Sequence, residues 1–496
     1  METVFIYTIL VGEMIRRQLI NRHVIGRHCL GIGPFTWASM ILCLLYISLN
    51  IFFMFYPGGL TLDKRRRCGI LALSNMIILY ASPSMSYLSD LMMIRLRTWR
   101  YIHRAAGWMM CAQTGGHIIF SLTSTKSVSP GETAAISGII ASSSIVLILM
   151  LSLPLVRRFC YPVFYVTHYF LALLVLITVW MHLPSSDKSS WSMVLAITTT
   201  FGASFVLEGL YMLYLNGACG ERWSKKIIEK RVDSSIGIYL SPGRPVKVLP
   251  GQYVNLWFPS LNPWSWFQCS SFIVTSWSPK EQVLLHLFAR CPSRSFGFTW
   301  MLLWRATIDS QRNITFFSGP HGPSVPAPRY ETVLLIASDA GILAVKPYVD
   351  QLFHCVKKRT SKTRRLCLVW KVSGRYIGWK LLYDMGEWIN GLFQDDIEGD
   401  TRMLQILIYD PKRLCRITPG QLGTRGQVYQ DSANFDEILK KEVEEHHKRR
   451  TEDVREERGE MLVMVSASDT IRYDLQESVK AYSRWVRFVE LDYQPS

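Results

Sequence analysis

Four histidines set in apolar segments carry the most chemistry in this chain: His103 and His117 in one stretch, His168 and His182 in another. Both pairs are fourteen residues apart. On an α-helix, fourteen residues return to within ~40° of the starting face and rise ~21 Å. Each segment would then present two imidazoles in line, one near each side of a ~30 Å hydrocarbon slab. At this chain's histidine frequency, about a quarter of one such pair arises by chance. An imidazole in lipid is costly unless it faces a partner or a ligand. The chemistry that uses all four is iron held from both sides, one histidine from each helix, done twice. The plainer alternative is hydrogen bonding between helices. Two haems ligated in this way have no open iron position, so the chemistry is outer-sphere electron transfer.

The elements that must position these residues are long apolar runs. Of 496 residues 49% are hydrophobic, and the apolar share is concentrated in residues 35–215. Runs of about 35–56, 69–94, 103–122, 133–155, 161–183 and 191–215 are each near the ~20 residues that cross a bilayer. Thr3–Val11 is too short to span unaided, and no signal-peptide pattern precedes it. The net charge of +17 does not point to nucleic acid, because the basic residues flank the spans. Arg16, Arg17, Arg22 and Arg27, then Arg95, Arg97, Arg100 and Arg104, then Arg157 and Arg158, then Arg222, Lys225 and Lys226 all fall on one side of a six-span topology. The positive-inside rule makes that side cytoplasmic, together with the C-terminal half. Lys64-Arg65-Arg66-Arg67 falls on the other side; either the span count is off by one or these residues have a local role, such as pairing with haem propionates. Eleven cysteines form no CxxC and no zinc spacing, consistent with a reducing cytoplasm and lipid packing.

The span 133–155 lies between the two histidine segments, so those segments run in the same direction. His103 and His168 then share the cytoplasmic end, and His117 and His182 the outer end. Gly107, Gly115 and Gly116 beside the ligands leave room for a flat macrocycle, or serve close helix packing. A haem relay takes single electrons whereas nicotinamides deliver hydride, so a flavin converter is expected in the cytoplasmic half.

Residues 226–320 read as all-β, with Ile236–Leu240, Tyr253–Phe258 and Val283–Phe288 as strands and Pro242-Gly243 and Pro250-Gly251 as turns. A small antiparallel barrel is expected. From 331 the pattern changes to buried-strand runs alternating with helices: Thr332–Ala337, Leu366–Val369, Leu404–Ile408 and Met461–Val465. That indicates a parallel nucleotide-binding sheet. Ser338-Asp339-Ala340-Gly341, after the first strand and before a helix running to about Lys357, is a phosphate-loop candidate. Residues 411–459 interrupt this domain, and 436–458, dense in both charges, reads as a solvated helix without a function.

In this order the pieces resemble the fungal ferric reductases, which share a superfamily with the NADPH oxidases. The resemblance runs from about residue 35 to the end. It rests first on the histidine helices, then on Pro250-Gly251-Gln252-Tyr253, Phe296-Gly297-Phe298-Thr299, Gly319-Pro320-His321-Gly322, Thr332–Ile342 and Trp370. It implies a polytopic α-helical membrane domain, a bis-haem helix bundle, followed by a ferredoxin-reductase-like β-barrel and an α/β nucleotide-binding domain. The expected boundaries are 1–34 for an N-terminal segment, 35–219 for the haem domain, 220–328 for the FAD barrel and 329–496 for the NAD(P) domain. It further implies haem iron on His103, His168, His117 and His182, two haem b in all. FAD would lie on Tyr253, Ser270, Phe272, Ile273, Gly297 and Thr299, with Phe272 beside the flavin. NADPH would lie on Gly319, Pro320, Gly322, Ser338, Gly341, Ile342 and Ser466; apart from the resemblance, Lys371 and Arg375 after the predicted strand either meet a 2′-phosphate or are solvated surface charge. The chain departs from the family pattern in three places. Ser270-Ser271-Phe272-Ile273 stands for His-Pro-Phe-Thr, Ser338-Asp339 for a glycine pair, and Ser466-Ala467-Ser468 for Cys-Gly-Pro. Asp339 thereby places a carboxylate where a phosphate should approach, and it repels a dinucleotide unless it points away.

The resemblance implies an integral, plasma-membrane NADPH-dependent ferric-chelate reductase, with an extracellular or lumenal ferric chelate or siderophore as acceptor and no nucleic-acid partner. The alternatives are a superoxide-generating oxidase, an enzyme that oxidises or reduces a small organic molecule, and a non-catalytic haem membrane protein with a decayed reductase domain.

Overall fold

The computed structural model describes residues 23–25, 35–56, 64–123, 132–159, 161–183, 187–218, 220, 223–230, 235–258, 269–290, 313–374, 379–398, 402–414, 425–452, 459–482 and 485–491. The chain divides into two compact units, Met1–Leu213 and Tyr214–Ser496.

Among its described residues, the first unit is helical apart from a short antiparallel pair, β1 (His23–Ile25) and β2 (Phe35–Thr36). Its helices are α1 (Trp37–Phe55), α2 (Lys64–Leu79), α3 (Met85–Leu91), α4 (Leu96–Thr123), α5 (Glu132–Leu151), α6 (Pro154–Phe159), α7 (Tyr161–His182) and α8 (Lys188–Leu215). Thr36 caps α1 by accepting the Ser39 N–H at 3.2 Å. The expected span 69–94 is broken: α2 stops at Leu79 and α3 starts at Met85. Pro83 lacks an N–H and biases Ser82 away from helical geometry, which ends the run. The break is tied to α7, because the Tyr80 hydroxyl donates to the Ala172 carbonyl at 2.6 Å and the Tyr169 hydroxyl donates to the Pro83 carbonyl. Among the described residues, four helices are long and apolar enough to cross a membrane: Trp37–Phe55, Thr133–Leu151, Val163–His182 and Lys188–Leu215. The expected six reduce to four by this measure, because α2 has only 16 residues and α4 carries Arg97, Arg100, Arg104, Gln113 and His117 among its apolar residues. The unit's core joins Leu73 and Met76 of α2, Met110 of α4, Ile145 of α5, Val175 of α7 and Ile197 of α8. Most remaining apolar side chains point outward, as helices solvated by lipid allow.

The second unit begins with two small antiparallel sheets. One has the order β7-β4-β3-β8, from β3 (Lys225–Lys230), β4 (Ser235–Ser241), β7 (Leu285–Arg290) and β8 (Asn313–Ile314). The other has the order β6-β5-β9, from β5 (Tyr253–Trp257), β6 (Ser270–Ile273) and β9 (Phe316–His321). Alternate residues of both enclose one core: Ile238 and Leu240, Val254 and Leu256, Leu285 and Leu287, Phe272 and Phe317. Asn216, fully buried, clamps Phe317 through both its backbone groups, at 2.7 and 3.0 Å.

A six-stranded parallel sheet follows, in the order β13-β12-β11-β10-β14-β15. Its elements are β10 (Thr332–Ser338), α9 (Ile342–Lys357), β11 (Arg365–Lys371), α10 (Trp379–Glu398), β12 (Leu404–Tyr409), β13 (Gly426–Tyr429), α11 (Phe435–Glu452), β14 (Met461–Ser466), α12 (Asp469–Lys480) and β15 (Val486–Glu490). Helices α9 and α10 cover one face and α11 and α12 the other. Burial on both faces is why the strands read as unbroken apolar runs. The chain builds outward from β10 to β13 and returns beside β10 with β14, so the strand order reverses between those two.

Residues 426–452 correct the sequence reading: they are part of the sheet and its cover rather than a solvated interruption. Helix α11 buries Leu439 and Val443 together with Glu442 and His446. Glu442 takes a two-pronged ion pair from Arg365 at 2.7 and 2.6 Å, and His446 bonds the Thr332 hydroxyl at 2.9 Å. The charge density hid a buried stripe that is itself partly polar.

Candidate functional site

Helices α4 and α7 bring the four histidines into two facing pairs. His103 and His168 have ring centroids 6.2 Å apart, and His117 and His182 6.1 Å. With metal–nitrogen bonds of ~2.0 Å and about 1.2 Å from ring nitrogen to centroid, an iron between two imidazoles sets the centroids ~6.3 Å apart. The rings therefore stand at the separation an axial ligand pair needs. They are too far apart to hydrogen-bond each other directly, so the hydrogen bonds these histidines make between helices go to other partners.

The outer pair is oriented by backbone. His117 Nδ1 lies 2.9 Å from the carbonyl of Arg65 on α2, and His182 Nδ1 lies 2.8 Å from the carbonyl of Ala134 on α5. A carbonyl only accepts, so each Nδ1 carries the proton and each Nε2 keeps its lone pair for a metal. Close helix approach makes this possible. A Cβ on Gly69 of α2 would meet His117 Nδ1 at 3.2 Å, and one on Gly138 of α5 would meet His182 Nδ1 at 2.8 Å. In the inner pair, His168 Nδ1 is buried with no hydrogen-bond partner among the described residues, and the Phe164 ring lies 5.4 Å from its ring. Two facing imidazole pairs with an orphaned ring nitrogen and two engaged ones fit haem ligation.

Of the three glycines expected to leave room for a macrocycle, Gly115 faces open space, whereas Gly116 packs on Cys68, whose Sγ a Cβ would meet at 3.2 Å. The basic cluster on α2 has a local role: Arg65 supplies the carbonyl to His117, and Arg66 pairs with Asp187 at 2.8 Å. Burial pushes the Asp187 carboxyl up, but hydrogen bonds from Arg66 and Ser190 outweigh it and hold the group below its usual range.

Residues that reading by spacing missed include a network of amide side chains on the histidine-bearing unit. The Tyr46 hydroxyl donates to Asn75 Oδ1; Asn75 donates to Gln113 at 2.8 Å and to Asn50 at 3.2 Å; Gln113 donates to Asn50 at 2.7 Å. This network ties α1 and α2 to α4, which carries His103 and His117, although α1 has no buried residue. The available signal was amide side chains inside apolar spans, which are costly there without partners.

In the second unit, two motifs meet each other. Gln252 Nε2 donates to the Gly322 carbonyl at 3.1 Å, and the Tyr253 and His321 rings lie 5.6 Å apart. Gly251, at φ +83, must be glycine because a Cβ would sit 2.3 Å from the Tyr348 hydroxyl of α9. Gly319 and Gly322 also have positive φ. Strand β6 corrects one expectation. Phe272 pairs with Val254 and is 2% exposed inside the barrel core, so its ring offers no stacking face. Ile273 is buried as well, and the half-buried side chains on that strand are Ser270 and Ser271. Gly297, Thr299 and Arg375 lie outside the described residues.

Ser338, Gly341 and Ser466 do come together, where the strand order reverses. The Ser468 N–H donates to Ser338 Oγ at 3.2 Å, and a Cβ on Gly341 would lie 2.0 Å from the Ser466 carbonyl oxygen. Ile342 is fully buried and belongs to the core. Asp339 points away from the turn, onto the loop after β11, accepting the Ser373 N–H at 2.8 Å. Lys371 places its Nζ 5.8 Å from the Phe435 ring centroid.

Residues 68–179 match the family model described as ferric reductase like transmembrane component, so the helical unit carries a ferric-reductase-like membrane domain. No curated protein matches the chain. Among solved structures, similarity is found to a ferredoxin NADP+ reductase from Neisseria gonorrhoeae with bound FAD and NADP, at 13% identity and TM-score 0.36 over 54% of this chain and 97% of that one. It is also found to a flavohemoglobin from Malassezia yamatoensis, at 11% identity and TM-score 0.36 over 86% and 97%. An Amycolatopsis cytochrome P450 reductase matches at 14% identity and TM-score 0.33 over 55% and 70%. Overlap at this level carries no functional argument.

Proposed function

We propose that this chain is an oxidoreductase that moves electrons from a cytoplasmic nicotinamide dinucleotide across a membrane to an outside acceptor, a ferric chelate. The observation that supports this most directly is the pair of facing imidazoles, 6.2 and 6.1 Å between centroids, inside a ferric-reductase-like domain. His103 with His168 and His117 with His182 would each hold one haem b, which when bound supplies one-electron transfer. The residues' own work is positional. Arg65 and Ala134 carbonyls fix the tautomer of the outer ligands, and Gly69 and Gly138 let helices close on those rings. Two histidines committed to each haem would leave no ligand position for a substrate, and the chemistry such a group would supply is outer-sphere electron transfer.

In the second unit, Ser338, Gly341 and Ser466 would hold the dinucleotide at the carboxyl ends of β10 and β14. Ser270 and Ser271 are the half-buried β6 side chains, the Ser271 hydroxyl donating to Asn255 Oδ1 at 2.6 Å, and FAD, when bound, would convert hydride to single electrons. Phe272 takes no part, since its ring is in the core.

The test has three parts. Purified protein should show a low-spin bis-histidine spectrum with about two haems per chain. His103→Ala or His168→Ala should remove one haem, and His117→Ala or His182→Ala the other. Membranes supplied with NAD(P)H should reduce chelated iron faster than oxygen. A haem-free protein from a haem-sufficient host would end this reading, and faster oxygen reduction would replace the acceptor with oxygen. A protease applied to sealed cells should spare residues 220–496.

A further inference from the structure

Asp339 is a buried carboxylate that the electron path does not use. It follows β10 at φ +45, a left-handed conformation that aspartate tolerates, and is 6% exposed. Its Oδ1 accepts the backbone N–H of Ser373 at 2.8 Å and of Gly374 at 3.2 Å, and its Oδ2 accepts the Ser373 hydroxyl. Its own carbonyl accepts Trp370 Nε1 at 3.0 Å, which holds the backbone in place. Two successive amides and a hydroxyl converging on one point make an anion nest. Here the chain's own carboxylate fills it.

The location gives this meaning. Ser373 and Gly374 follow β11, which pairs in parallel with β10 at Ser338↔Lys371. In a doubly wound sheet the dinucleotide lies across the strand ends at the reversal of strand order. Near the end of the second strand its adenosine ribose meets either an acid that accepts the 2′-hydroxyl or a base that takes a 2′-phosphate. The donors that would welcome a phosphate here are already occupied by Asp339. A carboxylate offers about four lone-pair sites, and three are used, so one remains for a hydroxyl. A phosphate dianion would meet like charge instead.

We infer that Asp339 makes this site select NADH, with its free ribose 2′-hydroxyl, over the 2′-phosphorylated NADPH. This rests on the nucleotide site proposed above and changes the coenzyme expected from the family resemblance.

The test is equilibrium binding of NADH and of NADPH, by calorimetry, to the detergent-solubilised full chain and to Asp339→Asn and Asp339→Gly. Asparagine keeps the shape and tolerates the backbone, and glycine removes the side chain without strain at positive φ. The wild type should bind NADH about tenfold more tightly or better. Both variants should bring the ratio towards one, chiefly by tightening NADPH. A wild type that binds NADPH as well or better overturns the inference alone, as does an unchanged ratio in both variants. Binding of neither dinucleotide to the wild type overturns it together with the proposed nucleotide site.

Discussion

On the proposed ligation, replacing Gly138 by alanine should weaken haem binding at the His117–His182 pair. An ideal Cβ at that position lies 2.8 Å from both Nδ1 and Cε1 of His182, whereas ordinary contact starts at 3.4 Å. Either the ring or helix α5 must give by about 0.6 Å, the difference between those two distances. Metal–ligand distances are held within about 0.2 Å. The same displacement stretches the His182 Nδ1 bond to the Ala134 carbonyl, now 2.8 Å, to the edge of hydrogen-bonding range. Loss of such a supporting contact typically weakens metal binding about 10–100-fold, or ~1.4–2.7 kcal/mol. The assay is haem content per chain together with a redox titration. Gly138→Ala should retain about one haem, with the inner potential unchanged. Gly69→Ala, whose Cβ would meet His117 Nδ1 at 3.2 Å, should have a milder effect. Gly202→Ala is the silent control, since a Cβ there meets nothing within 4 Å. If Gly138→Ala holds both haems at wild-type potentials, the ring is not placed by α5 and the reasoning fails.

Gly341→Ala would put a Cβ 2.0 Å from a backbone oxygen that cannot rotate away, and should destabilise the α/β sheet by about 3 kcal/mol while abolishing dinucleotide binding, as read by thermal unfolding and calorimetry. Glu442→Ala strands the Arg365 guanidinium beneath α11 and should cost about 3–5 kcal/mol in the same unfolding measurement, whereas Lys440→Ala, on the exposed side of that helix, should cost little. Asp187 is held below its usual range, so the Arg66–Asp187 contact contributes fully above the ordinary carboxylate pKa and is lost as pH falls through the depressed value. With Arg66 45% exposed the contribution should stay under about 1 kcal/mol, and thermal unfolding of Asp187→Asn should match the wild type only at the acid end.

The histidine pairs were legible because a helix is a local structure with a fixed period. Once two segments are helical and parallel, spacing alone says which imidazoles share a level. The parallel sheet was legible for a similar reason, since Thr332–Ala337 and its counterparts are apolar on both faces and nothing but a doubly covered strand needs that. The span 69–94 was misread because hydropathy averages over Ser82 and Pro83, while the helix responds to each residue. Helix α11 was misread because its buried stripe contains Glu442 and His446, whose burial depends on Arg365 and Thr332, more than seventy residues earlier in the chain.

Sequence by itself picked out the candidate residues, four imidazoles at helical spacing and a glycine turn between a buried strand and a helix. Tertiary structure decided what each of them faces. Phe272 turned into the barrel core because the register with β5 sets it opposite Val254, and a one-residue difference in pairing would have put it on the other face. Asp339 became a clamp on Ser373 and Gly374 rather than a charge aimed into the turn between β10 and α9, because β11 lies beside β10. Backbone carbonyls of Arg65 and Ala134 became the partners of His117 and His182 because glycines let α2 and α5 approach. Periodicity is a property of one segment, but direction, register and close approach belong to pairs of segments.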